Sequence, residues 1–516
     1  MPELAAISTA ARNTVPRVFQ VGVLLFILLT GAVPQILQAL INGLTEPGLP
    51  FALALLSGLL YDLLRVAPLV LLARHPAGIL HPIIIAVVVW PLLITLPNLI
   101  DSFGGYSGLL SGEPLQAPHY RALSWYDPGE VWTEVAQYNG LQILALLSLY
   151  GGFAVRPGGE GGPLKVFREV GTLRLRKVLI GIILANFAAV AVFVQSRGGL
   201  VDHVMELAFG RFRALEGLGP FLALFDIGFL AMLLWICARP QDARNPVFLT
   251  LLPLVAAQQF VVAGSRSAAL LVFVLIGLGW SLAANKVPWR LSLILLPVAF
   301  LSFGALNVIR TAGITNATAI EAAQDADFAS IIERSREEFD LRQSLSGAVP
   351  VTADAMRTTG LMVGYTYSGA VFALVPRAVW PDKPRGPGSL YAQYFLGEER
   401  EGTAVPIGPV AEAYWNFHII GVALIFLLYG MLLQAVLRIY SGNKHNPLVV
   451  AGFVLLATQL GVSTDQLVAI QQMAITTLLL LAIVYAFYPQ AFGRHGESSG
   501  PRRLQQAGAA RRAAGL

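Results

Sequence analysis

Apolar blocks of about 20 residues recur along the whole chain, each closed by a short polar or basic connection. A helix of that length crosses about 30 Å of hydrocarbon. Backbone N–H and C=O groups in lipid must be bonded within the chain, so blocks this long are read as helices rather than strands. The pattern predicts an all-α polytopic integral membrane protein of about 12 transmembrane helices. They lie near 18–40, 51–73, 79–100, 138–155, 178–196, 218–237, 247–263, 267–284, 291–309, 409–436, 447–463 and 470–488.

The connections fall into two sets. One carries Arg12 and Arg17, Arg74, the run from Arg156 through Lys177, Arg239 and Arg244, Lys286 and Arg290, Arg438 and Lys444, and the basic tail after Arg494. These alternate onto one side when every span is counted, which places both termini in the cytoplasm. Met1 to Arg17 holds no apolar run, so no cleavable signal peptide is expected. The opposite set is larger. It comprises loops at 101–137 and 197–217 and a segment at 310–408 between spans 9 and 10.

The expected organisation is therefore spans 1–9 over 1–309, a large extracytoplasmic helical loop over 310–408, spans 10–12 over 409–488, and a basic disordered tail over 489–516. Within the long loop, Ile320, Phe328, Ile331, Ile332 and Phe339 recur at near-helical spacing, which predicts an amphipathic helix. The apolar stretch Gly360 to Val375 is short and glycine-rich, and is expected to pack on the membrane face or re-enter it.

Composition agrees with this class. Hydrophobic residues make up 56% and charged residues 13% of 516, where a soluble surface needs about a quarter charged. The net charge of +5 does not point to nucleic acid, because the basic residues sit at span ends where they set orientation. The single cysteine, Cys237, cannot form an internal disulfide. No 20–50 residue repeat is evident.

Walker and HExxH signatures are absent from the sequence. Asp325-Ala-Asp327 has the form of a nucleotide-sugar motif, but it falls on the outer side within a helical pattern and reads as a solvated helix face. Arginines gather where outer loops meet the membrane: Arg266 in Gly264-Ser-Arg-Ser267, Arg310 at a span end, and Arg377 in the long loop. Each could simply snorkel to water. Positive residues are nevertheless disfavoured in short outer loops, and a guanidinium fork at headgroup depth suits a phosphate.

A second cluster opens span ten. Glu412 and Asn416 stand four apart and share a helix face. A carboxylate at the mouth of an apolar span suits a general base, or a helix start that meets the N-terminal dipole. His418 points elsewhere and reads as a packed polar residue. Asp62 and Arg65, mid-span at i and i+3, read as a structural ion pair. Gln459, Asp465, Gln466, Gln471 and Gln472 give the last two spans a polar outer edge that could line a sugar groove.

The stretch Val375-Pro-Arg-Ala-Val-Trp-Pro-Asp-Lys-Pro384, with Gly408-Pro-Val-Ala-Glu-Ala-Tyr-Trp-Asn-Phe-His-Ile-Ile-Gly421 after it, resembles the Wzy-type oligosaccharide repeat-unit polymerases, which include the O-antigen polymerases. That family tends to show a PR-x-x-WP-x-KP loop and a GE-x-Y-x-N-F-G span entrance. Here Ala411 stands where glycine would precede the glutamate, and His418 where glycine would follow the phenylalanine. The turn Gly264-Ser-Arg-Ser267 is similar to the family's short outer arginine turn.

The resemblance implies a GT-C-like glycosyltransferase of the bacterial inner membrane, its site facing the periplasm. It would join undecaprenyl-pyrophosphate-linked oligosaccharides by metal-independent, inverting transfer with no cofactor. Glu412 would take the acceptor's proton. Arg266, Arg310 and Arg377, with Arg211 and Arg213 in reserve, would hold the pyrophosphate. Tyr414, Asn416, His418, Lys383 and Asp465 would line the groove. Implied partners are the lipid bilayer, a chain-length-regulating co-polymerase and a repeat-unit flippase, and no nucleic acid.

Three other readings compete. A ligase joining glycan to lipid A core shares the chemistry. A flippase or secondary transporter would concentrate charge at the midplane, where only Asp62 and Arg65 lie. A structural scaffold would leave the outer arginines unexplained.

Overall fold

The computed structural model describes residues 17–30, 48–72, 75, 78–89, 128–155, 172–204, 206–207, 218, 222, 224–264, 266–286, 348–372, 375, 379–380, 382–395, 407–462 and 466–489. These are almost entirely helical, and no strand occurs among them. In chain order the helices are α1 (Arg17–Thr30), α2 (Leu49–Leu71), α3 (Pro128–Ala154), α4 (Thr172–Ser196), α5 (Ile227–Ala238), α6 (Pro246–Ala263) and α7 (Arg266–Ala284). There follow α8 (Ala348–Thr358), α9 (Tyr365–Val371), α10 (Pro387–Phe395), α11 (Gly408–Gly442), α12 (Pro447–Val462) and α13 (Gln466–Phe487).

Among the described residues, three stretches are helical, long and apolar enough to cross a membrane: Leu49–Leu71, Leu173–Ser196 and Gly408–Gly442. Shorter apolar helices occur at Ile227–Ala238, Pro246–Val262, Ala268–Ala284, Pro447–Thr458 and Met473–Phe487. Large apolar side chains stand exposed in stripes at helical spacing: Leu49, Leu53, Leu56, Leu60 and Leu63 on α2, and Ile420, Leu424 and Leu428 on α11. Exposed stripes of this kind are what a bilayer covers.

Among the described residues, two large cores hold the helices together, with a small third cluster around Val190, Val194, Phe225 and Val262. One surrounds α5, whose residues from Ile227 to Cys237 are all buried, so this helix has no outward face. Its end is pinned by Asp242, which accepts hydrogen bonds from Trp235 Nε1 and Arg239 Nε, both at 2.9 Å. The other core joins α2, α3, α8, α10 and α11 around Trp415, Tyr391 and Val349.

In this second core α2 and α3 run parallel. Asn139 donates to the Ala54 carbonyl near one end of the pair, and Tyr150 to the Leu64 carbonyl near the other. Helices α3 and α11 also run parallel, crossing where Gly152 meets the backbone of Leu427 and Gly430 that of Leu149.

Three expectations change. Within the span at 218–237, the regular helix α5 begins only at Ile227, and Asp226 ahead of it keeps helical dihedrals (φ −71°, ψ −12°). The stretch from Gly78 to Val89 is a chain of tight turns ending in a π-helical segment, Ile85–Val89, rather than a regular helix. Arg65 makes no ion pair with Asp62 within 4.0 Å; its Nε donates to the carbonyl of Val87 at 3.3 Å. The amphipathic stretch at 320–339, Asp325 and Asp327, most of the loop at 101–137 and the tail lie outside the described residues.

Candidate functional site

Helix α11 is broken inside its apolar sequence. Phe417 has φ −139° and ψ 18°, and His418 has φ 57° and ψ −155°. In a continuous helix the carbonyls of Trp415 and Asn416 would accept from the N–H groups four residues on. The break removes those partners, and an unbonded carbonyl at apolar depth is costly. The structure supplies replacements from another segment. Met362 N donates to the Trp415 carbonyl at 3.0 Å and Val363 N to the Asn416 carbonyl at 3.1 Å.

The segment that reaches in is shaped by Gly364 (φ 83°), where a Cβ would press on the Phe417 ring at 3.2 Å. Val363 itself holds φ 45°, a strained value for a β-branched residue. Trp415 Nε1 adds a bond to Thr359 Oγ1 at 2.8 Å.

Side chains close the same junction. Glu412 is 5% exposed and Asn416 is fully buried. Thr366, from α9, donates its hydroxyl to Glu412 Oε1 at 2.7 Å. Asn416 Nδ2 donates to Thr366 Oγ1 and to the Glu412 carbonyl, both at 2.8 Å. The expectation that Glu412 and Asn416 share a face is met, and Thr366 joins them. Asn416 Oδ1 stays buried without a partner among the described residues. Beside them the Tyr367 and Phe417 rings stack in parallel planes, 6.1 Å apart.

The outer loop follows from α9. Trp380 packs edge-on against Phe372 at 4.9 Å, and Lys383 Nζ donates to the Val375 carbonyl at 3.2 Å. Helix α10 returns the chain to the junction: Tyr391 stacks on Phe395, which meets Trp415 edge-on at 5.7 Å.

The opposite flank of α11 carries different chemistry. The Tyr414 hydroxyl lies 3.0 Å from His418 Nε2, so His418 is engaged with its own helix rather than merely packed. Tyr414 sits within electrostatic range of Glu134 on α3. Glu134 lies ahead of the apolar stretch of α3. Its carboxyl is held above the ordinary glutamate range by burial and by Asp354, against an opposing pull from Arg357. Sequence reasoning missed Glu134. The available signal was Glu130 and Glu134 four apart, a like-charge pair that a helix disfavours unless the groups have other uses.

Arg266 begins α7, and its side chain lies outside the described residues, as do Arg211, Arg213, Arg310, Arg377 and Asp465. Among the expected site residues, Glu412, Tyr414, Asn416 and His418 are brought together around the α11 break. Lys383 sits on the adjoining loop, its ammonium turned to that loop's own backbone. Comparisons of the chain with protein-family models, with curated proteins and with solved structures find no match.

Proposed function

We propose that this protein is a GT-C-like membrane glycosyltransferase with twelve spans, which polymerises undecaprenyl-pyrophosphate-linked oligosaccharide repeat units at the outer face of a bacterial inner membrane. One observation carries the proposal. The resemblance resides in two segments, 375–384 and 408–421, and α9 with the residue after it touches a described residue of each. Trp380 rests on Phe372 at the end of α9, and α9 places Thr366 on Glu412. Thr366 and Glu412, far apart in sequence, thereby meet at the mouth of a long apolar helix.

The chemistry follows from the substrate. A hydroxyl of the acceptor sugar forms a C–O bond at the donor's anomeric carbon, the bond to the lipid pyrophosphate breaks, and the electron pair leaves with the diphosphate. A carboxylate must take the hydroxyl proton, and the resemblance assigns that task to Glu412. Guanidinium groups of Arg266, Arg310 and Arg377 stabilise the leaving diphosphate, with Arg211 and Arg213 in reserve, a task that metals perform elsewhere. Single displacement inverts the anomeric centre.

The test is polymerisation of a purified lipid-linked repeat unit by the reconstituted protein. Wild type is expected to give a ladder of products in EDTA. Glu412→Gln and Arg266→Ala are expected to give none while remaining folded. No product from wild type, or activity lost in EDTA and restored by Mg²⁺, would count against the proposal. A ladder that forms only on lipid A core would move the assignment to a ligase.

A further inference from the structure

The break in α11 leaves an aromatic ring open beside the buried cluster of Thr366, Glu412 and Asn416. Phe417 is 41% exposed, yet its ring is held by packing. Tyr367 stacks on it, the two planes 3° apart. At Gly364 a Cβ would come within 3.2 Å of the ring's Cζ, and at Gly421 one would fall 2.5 Å from the Cβ of Phe417. A side chain at either glycine would push the ring out of place.

Apolar side chains extend this platform in two directions. Val363 is 74% exposed, and its N–H bonds the Asn416 carbonyl, one residue before Phe417. It is held at φ 45°, which a β-branched residue adopts only at a cost. Beyond the break Ile420 is 70% exposed, and the exposed Leu424 and Leu428 follow it at i+4 and i+8. That line runs along one helix face for about 12 Å. The apolar lane therefore starts next to Asn416 and descends along the apolar length of α11.

Resting on the function proposed above, we infer that this lane seats the first isoprene units of the lipid-diphosphate-linked substrate. Bulk phospholipid accounts for exposed leucines on α2 and on the lower part of α11 alike. It gives no reason for the upper end, where a strained valine and a packed but open ring adjoin the polar cluster. A substrate with its diphosphate at the mouth of α11 has its hydrocarbon tail beginning at that same point. The tail must then leave along the surface that borders both site and bilayer. Planar, methyl-branched isoprene units pack well on an aromatic face and on branched aliphatic side chains. Lipid tails are as apolar as leucine, so selection here comes from fit rather than from hydrophobicity.

Photolabelling of the full-length protein in phosphatidylglycerol proteoliposomes tests this. The probe is a long-chain polyprenyl diphosphate with a diazirine on its first isoprene unit. Label should fall on 363 and 417–420, and should move to 424–428 when the diazirine sits several units further along. A phosphatidylglycerol carrying an acyl-chain diazirine should label the stripes of α2 and α11 alike. Unlabelled polyprenyl diphosphate should displace that label from α11 only. Ile420→Ala combined with Leu424→Ala should raise the half-saturating probe concentration by about 3–10-fold. Leu56→Ala combined with Leu60→Ala, on the exposed stripe of α2, should leave it unchanged.

Polyprenyl label spread evenly over α2 and α11, or phospholipid label on α11 that polyprenyl diphosphate does not displace, overturns the inference. Should the paired α11 variant not fold, the position of the label in wild type decides alone. Binding needs no turnover, so the two readings fail separately. Labelling of the lane in a protein that makes no polymer removes the proposed reaction and keeps the tail seat. A polymer-forming protein labelled elsewhere removes only the seat.

Discussion

Gly430 of α11 lies so close to Leu149 of α3 that a Cβ at 430 would fall inside the van der Waals shell of the Leu149 carbonyl oxygen. Gly152 meets the Leu427 carbonyl in the same way from the other side. This crossing brings the backbones of α3 and α11 into direct contact. Small residues at a helix crossing allow the close approach that van der Waals packing in lipid requires.

Gly430→Ala should therefore destabilise the folded protein by about 1–3 kcal/mol, since the methyl must displace backbone. Gly452→Ala, on a helix where a Cβ would meet nothing within 4 Å, should be neutral or slightly stabilising. Unfolding of both variants in detergent micelles makes the comparison; equal stability would show that the crossing tolerates a methyl group.

Thr366→Val keeps the side-chain shape and removes the donor to Glu412. Leaving a buried carboxylate oxygen without that bond costs about 1–3 kcal/mol. The loss should be local. Hydrogen exchange should quicken across 360–372, including the amides of Met362 and Val363 that serve the Trp415 and Asn416 carbonyls. Unchanged protection there would mean that backbone pairing alone holds the segment.

The backbone at His418 is one that glycine adopts freely and other residues adopt at a cost of about 1–3 kcal/mol. This gives a physical reason for the glycine that the resemblance places at that position. His418→Gly relieves the strain but loses the bond to Tyr414, so its unfolding midpoint should equal or exceed that of wild type. His418→Ala keeps the strain and loses the bond, and should be the less stable of the two. Thermal unfolding of the pair decides; alanine matching glycine would argue against strain at this site.

His203 is fully buried, with Nε2 on the Val261 carbonyl at 3.0 Å and Nδ1 unpartnered among the described residues. Burial, with Arg197 nearby, lowers its pKa from 6.5, although the Val261 bond and Glu206 oppose the shift. The fold thus prefers the neutral ring. Its contribution is intact above pH 6.5 and is lost as pH falls below that value. After division by the intrinsic exchange rate at each pH, protection of the amides in 199–207 should fall between pH 7.5 and 5, and His203→Gln should flatten the dependence.

Element type was readable where a local cause sufficed. Long apolar runs predict helices because lipid leaves the backbone no other partner, and α2, α4 and α11 follow those runs closely. The shared face of Glu412 and Asn416 was readable for the same reason, because i and i+4 are neighbours on any helix. The break at Phe417 was not readable, since nothing adjacent in sequence signals it.

Amino-acid order alone therefore determined the class, the helical stretches and one face of the site, all consequences of periodicity and of the cost of exposing backbone to hydrocarbon. Tertiary structure decided the rest. A helix can break in an apolar span only if something distant accepts its freed carbonyls, and here that is the backbone of Met362 and Val363. Likewise α3 and α11 touch backbone to backbone only because Gly152 and Gly430 carry no Cβ at the crossing. Both depend on contacts between residues tens to hundreds of positions apart, where spacing along the chain carries no information about distance in space.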